Sequence, residues 1–148
     1  MTYLRSIIGG LLSIEGRAIR PEYQGKGLGT LALSGILKVT NVPAAASVTR
    51  NPAVLRLMTT GFQIVSPDMG AGDPLHYFRN DERVQEATEV YGRHVVADPQ
   101  SLPFVYDRYT GGLYGESDPG QNLTALPQVA NNPENGVIMA AVERRYDV

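Results

Sequence analysis

The stretch Pro21-Glu22-Tyr23-Gln24-Gly25-Lys26-Gly27-Leu28-Gly29-Thr30 constrains this chain more than any other. Before it runs an apolar, strand-like segment, Leu11 to Ile19. After it Leu28, Leu31, Ala32, Gly35, Ile36 and Val39 recur at helical spacing. A glycine turn that joins a strand to a helix aims backbone N–H groups and the positive end of a helix at whatever lies before it. Glycine is needed there because a Cβ bars positive φ and keeps an anion away from the amides. The turn reads as a phosphate-binding loop, and the plainer alternative is a tight turn with no ligand.

Two common phosphate loops fit poorly. No Gly-Lys-Ser or Gly-Lys-Thr stands at the spacing that a Walker loop needs. Gly27-Leu28-Gly29-Thr30-Leu31-Ala32 does read as the dinucleotide pattern G-x-G-x-x-A. That pattern also asks for an acidic residue about 20 positions on to hold a ribose hydroxyl. None stands between Glu22 and Asp68.

Arg20 to Gly29 resembles the acetyl-CoA loop of the GNAT N-acetyltransferase superfamily, whose signature is Gln/Arg-x-x-Gly-x-Gly/Ala, often preceded by Val-x-Pro and an aromatic residue. Gln24, Gly27 and Gly29 occupy the signature, and Ile19-Arg20-Pro21 the upstream part. A second block, Asn51-Pro52-Ala53-Val54-Leu55-Arg56-Leu57-Met58-Thr59-Thr60-Gly61-Phe62, is similar to the family's following segment, an Asn-led helix ending in Gly-Phe. The two blocks come in the family's order, 27 residues apart, and the resemblance covers roughly residues 11 to 66.

The resemblance implies an α/β fold, a GNAT-like mixed sheet flanked by helices. It implies acetyl-CoA as co-substrate and transfer of its acetyl group to a primary amine. By the same resemblance, the amides of Gln24, Gly25, Lys26, Gly27, Leu28, Gly29 and Thr30 hold the pyrophosphate, and Thr30 can add its hydroxyl. The strand before the loop splays from its neighbour in the family, so the backbone of Ala18, Ile19 and Arg20 would pair with the pantetheine arm. Asn51 would face the far end of the cofactor, although capping its helix also explains it. The family's acid is often a Tyr in that helix; Met58 stands about there and has no proton to give. The motif names no base. Glu15 shares side-chain parity with Arg17 and Ile19 on the expected strand, which makes it the candidate base, against the alternative of a solvated or salt-bridged carboxylate. A catalytically degenerate GNAT fold that binds CoA or a partner protein is the rival reading.

The family's domain usually places two helices and about three strands before the glycine loop, and only 23 residues precede Gln24 here. The expectation is one domain over 1–148, with a CoA-binding core at 1–67 and a loop-rich extension at 68–148 that completes it. A second chain is the other way to complete the sheet, and an exposed edge would favour a homodimer.

Charge divides the same way. Residues 1–67 carry seven Lys or Arg against Glu15 and Glu22, while residues 68–148 carry six basic and thirteen acidic side chains, for a net charge of −2. A basic half suits a polyanionic cofactor, and an acidic half suits an amine. No basic run points to nucleic acid. The longest apolar stretch, Ile7 to Leu12, is too short to span a bilayer and lacks the flanks of a signal peptide, so a cytoplasmic location is the default. Cysteine is absent, which excludes thiolate catalysis and disulfides. His76 and His94 have no third ligand at metal spacing, so no metal site is expected.

Strands are expected at Tyr3–Ile8 and Leu11–Ile19, joined at Gly9-Gly10, and at Ala44–Thr49 and Phe62–Val65. Asn41-Val42-Pro43 should end the first helix. Asn51 and Pro52 should start a second, and Gly61 should close it from the C′ position. The β–α–β–α–β order predicts neighbouring strands. Asn80 or Asp81 should cap a helix running to about Val96, with Val84, Ala87, Tyr91 and Val95 on one face. Residues 98–136 read mostly as loop, with a possible strand at 104–109 and the cluster Tyr106, Tyr109 and Tyr114 around Gly111-Gly112. A last strand is expected at Val137–Val142.

Overall fold

Residues 2–8, 10–18, 28–50, 52–95, 97, 102–109 and 125–145 are described by a computed structural model. A hairpin comes first. β1 (Thr2–Ile8) and β2 (Leu11–Ala18) are antiparallel and close at Ile8↔Leu11, where Gly10 takes a φ of 81° that only glycine adopts easily. α1 (Leu28–Thr40) follows. It ends at Asn41, whose φ of 50° stops the helix and whose N–H donates to Leu37 O at 3.0 Å. β3 (Ala44–Thr49), α2 (Pro52–Gly61) and β4 (Phe62–Ser66) keep the expected order.

Two expectations need correction here. Gly61 lies inside α2, not beyond it, and the chain passes directly into β4. A Cβ at Gly61 would stand 2.7 Å from Leu37 Cδ1, so glycine serves the close approach of α2 to α1. β3 and β4 are also not neighbours. β6 (Gly136–Arg144) lies antiparallel between them, giving the order β1-β2-β3-β6-β4, with the short β5 (Val105–Tyr106) alongside the start of β6. The sheet is mixed and open, with helices on both faces.

β6 shows how the two faces are built. Val137, Met139 and Ala141 share a core cluster with Leu33 and Leu37 of α1 and with Leu55 and Met58 of α2. Ile138, Ala140 and Val142 join the opposite cluster, with Val84, Ala87 and Tyr91 of α4 (Glu82–His94). This alternation is the two-residue period of a strand buried on both sides.

α4 carries the expected apolar face, with Val95 half-buried against the same cluster. It stops at His94, and a separate short helix, α3 (His76–Asn80), precedes it. Asp81 breaks the two apart. Its backbone is extended, and its carboxylate accepts from the N–H groups of Arg83 and Val84. The strand expected at 104–109 shrinks to two residues, and α5 (Pro127–Ala130) interrupts the expected loop. Among the described residues no helix is long and apolar enough to cross a membrane.

Candidate functional site: a split between parallel strands

β2 and β3 are parallel neighbours over only part of their length. Leu11, Leu12 and Ser13 pair with Ala44, Ala45 and Ala46, and there the ladder stops, although β2 continues to Ala18 and β3 to Thr49. From that point β2 stays with β1 and β3 stays with β6. The sheet therefore opens as a V towards the carboxyl ends of two parallel strands. At the apex Ser47 Oγ donates to Ile14 O at 2.8 Å, a side chain taking the place of a backbone rung. Beyond it β2 and β3 form no further rung with each other among the described residues, and backbone groups in a seam of this kind need another partner.

β2 also bulges at the apex. Leu4 pairs with Gly16 and Arg5 with Ile14, so Glu15 is the extra residue. The bulge interrupts the alternation that grouped Glu15 with Arg17 and Ile19. Simple alternation therefore does not set the side on which Glu15 stands. The backbone of Glu15 stands just past the apex, while its side chain lies outside the description.

Of the other expected site residues, Ala18 ends one arm of the V. Ile19, Arg20, Gln24, Gly25, Lys26, Gly27 and Asn51 lie outside the described residues. Leu28, Gly29 and Thr30 form the first turn of α1, with Leu28 and Gly29 half-buried and Thr30 exposed. That turn holds no acidic residue, and Lys38 stands in the last one. This charge pattern leaves the amino end of α1 favourable to an anion.

Arg50 fixes the far end of the other arm. Directly after β3, its buried Nη1 donates to Val129 O at 2.7 Å, Asn132 O at 2.8 Å and Asn135 O at 2.6 Å. The guanidinium is solvated by carbonyl dipoles at the end of α5 and in the turn that enters β6. Neither Arg50 nor Ser47 was singled out in the sequence. The available signals were one serine in the run Ala44-Ala45-Ala46-Ser47-Val48 and one arginine at a strand-to-helix junction.

Several other candidates are structural. Met58 is 1% exposed and belongs to the core beneath the sheet. Tyr109 packs on Gly136, where a Cβ would meet its ring at 2.9 Å, and Arg108 stacks 5.7 Å over the Tyr106 ring. Tyr114 lies outside the described residues. His76 sits edge-on to Tyr77, and His94 lies beside Tyr91. No group of three potential metal ligands occurs among the described residues.

A separate cleft of about 860 Å³ opens at the amino ends of β2 and β3, the opposite end of the seam from the V. No protein-family model matches the chain, and neither does any curated protein or solved structure.

Proposed function

We propose that this chain is a GNAT-type N-acetyltransferase, moving the acetyl group of acetyl-CoA to a primary amine. The observation that carries the reading is the V between β2 and β3, which comes directly before the glycine turn in the chain. A pantetheine arm is an extended chain with amide groups, and a strand edge without rungs is what such a chain can pair with. Gln24-x-x-Gly27-x-Gly29 then connects the arm of the V to α1, whose first turn is free of carboxylates. A pyrophosphate at that place meets amides and the positive end of a helix together.

The chemistry asks mainly for positioning. The amine attacks the thioester carbon, the tetrahedral adduct collapses, CoA leaves as a thiolate that takes up a proton, and the attacking nitrogen loses one. No covalent enzyme intermediate is needed. The bulge at Glu15 puts that residue's backbone next to the apex, which keeps it the candidate for the proton-accepting role. Met58 is in the core, so the acid is either another group or water. A second reading, a CoA-binding module without turnover, is favoured by that same burial of Met58.

Calorimetric titration with acetyl-CoA, with NAD as control, tests the reading. Micromolar binding of acetyl-CoA alone is expected, and Gly27→Asp should abolish it. Unchanged affinity in Gly27→Asp would sink the proposal. A thiol-release assay over a panel of amines separates the two readings, since the binding module gives no turnover above buffer.

A further inference from the structure

The cleft at the amino ends of β2 and β3 is bordered by four consecutive residues, Val142, Glu143, Arg144 and Arg145. In a regular strand successive side chains point to opposite faces, so four in a row do not line one cavity. Here Glu143 has a φ of 59°, which breaks that alternation although Arg144 still pairs with Phe62 of β4. A non-glycine residue in that region persists only where its surroundings hold it there. Three contacts do so. Glu143 accepts from Arg83 Nη1 at 2.7 Å, Arg144 Nη1 donates to Asn41 Oδ1 at 2.9 Å, and the Arg145 N–H donates to Gly61 O at 3.1 Å.

This bracing spends some charges and leaves others. Arg83 is shared between Asp81 and Glu143. Arg144 donates to the neutral amide of Asn41. Among the described residues the side chains of Arg145 and Glu86 have no ion-pair or hydrogen-bond partner, and both border the same cleft. Leu11, Val42, Ala44, Ala87, Val90 and Val142 supply its apolar wall. An apolar hollow of about 860 Å³ lies within the range of roughly 300–1,000 Å³ typical of small-molecule sites, and it exceeds what one amino acid fills.

We propose that this cleft binds a short zwitterionic peptide with apolar side chains, its ammonium group at Glu86 and its carboxylate at Arg145 and Arg144. Opposite charges bordering one apolar wall match such a ligand, whereas a simple anion would leave Glu86 unmatched. The site uses no residue of the glycine turn or the V, so it stands or falls apart from the acetyl-CoA reading.

The test is an amide-resonance titration with the dipeptide leucyl-leucine in the absence of any CoA compound. Saturable binding is expected, with the shifts centred on residues 86–90 and 142–145. N-acetylation or C-amidation of the dipeptide should each weaken it about tenfold. In Glu86→Gln the free and N-acetylated forms should bind alike, and in Arg145→Gln the free and amidated forms should. Both residues are exposed, so circular dichroism of the variants should match that of the parent. No saturation at millimolar dipeptide overturns the proposal. So does full affinity for either blocked form, or parental affinity in both variants.

Discussion

Against β6, strand β3 is paired along its whole length, from Ala44↔Val142 to Thr49↔Val137; against β2 it is paired at three positions and then left. The two edges belong to one strand of one composition, so intrinsic propensity does not explain the difference. What differs is what holds the neighbours at the carboxyl end. On the β6 side Arg50 ties the end of β3 to the turn that enters β6. On the β2 side the tie seen past the ladder among the described residues is one serine hydroxyl, and the sequence after β2 is the glycine-rich stretch. The closed edge is a fold-forming ladder, and the other, open edge is a ladder of three pairs that ends at Ser13↔Ala46.

The largest expected effect comes from loosening the closed edge. Arg50→Ala leaves three carbonyls without their donor and should cost about 3 kcal/mol, read as a lowered urea midpoint. A loss below 1 kcal/mol would mean that the ladder needs no clasp, and the contrast between the edges would lose its explanation.

Occupying the open edge is next. Gly29→Asp places a carboxylate in the first turn of α1. Acetyl-CoA affinity should fall about 100-fold, or about 2.7 kcal/mol, while stability should hold or rise by about 0.3–1 kcal/mol from the helix dipole. Affinity and stability that fell together would point to a damaged turn instead of a blocked anion site.

Ser47→Ala removes the tie at the apex and should cost about 1–2 kcal/mol, because Ile14 O loses its donor in a buried place. Hydrogen exchange should quicken around residues 14 and 47, with protection along β3–β6 unchanged. Equal quickening along both edges would show that the seam is not independent.

The smallest effect is on α4, which packs on the closed side. The Arg83 side chain, hydrogen-bonded to the Asp81 carboxylate, holds its pKa below the usual 3.8; burial opposes this, and the N–H groups of Arg83 and Val84 add to the lowering. A carboxylate whose pKa falls on folding contributes stability above its unfolded value and loses it as pH drops through the folded one. Asp81→Asn keeps a capping oxygen and removes the charge. Its denaturation midpoint should lie below the parent's near neutral pH, and the two should converge as pH falls below about 3.8. Asp81→Ala should cost about 1 kcal/mol through the lost cap.

The elements were legible where a local stop signal accompanied a period. Asn41 and Pro43 marked the end of α1 and the start of β3, and the pair Asn80-Asp81 marked the start of α4, where Asp81 is the cap. Gly61 was misread because its requirement is a neighbour, Leu37, that only the packing of α1 on α2 brings near. The insertion of β6 between β3 and β4 was hidden for a similar reason, since a strand's period tells which faces it buries and not who lies beside it. At the candidate site the helix after the glycine-rich stretch could be found from spacing. The bulge at Glu15 could not, because it is a matter of register with β1. Ser47 and Arg50 act through carbonyls distant in the chain, and neither leaves a periodic trace.

The central place of β6 bears on how the protein is made. A nascent chain that has left the ribosome only as far as β4 holds β3 and β4 as bare, apolar edges, with nothing yet available to lie between them. The middle of the sheet can be completed only when residues 136–144 emerge, so native assembly waits for them. Until then those edges are templates for pairing with other chains, and a product cut short before Gly136 would keep that hazard permanently. Products cut short before Gly136 should therefore aggregate more readily than the chain that includes β6, the cellular counterpart of a sheet whose keystone arrives last.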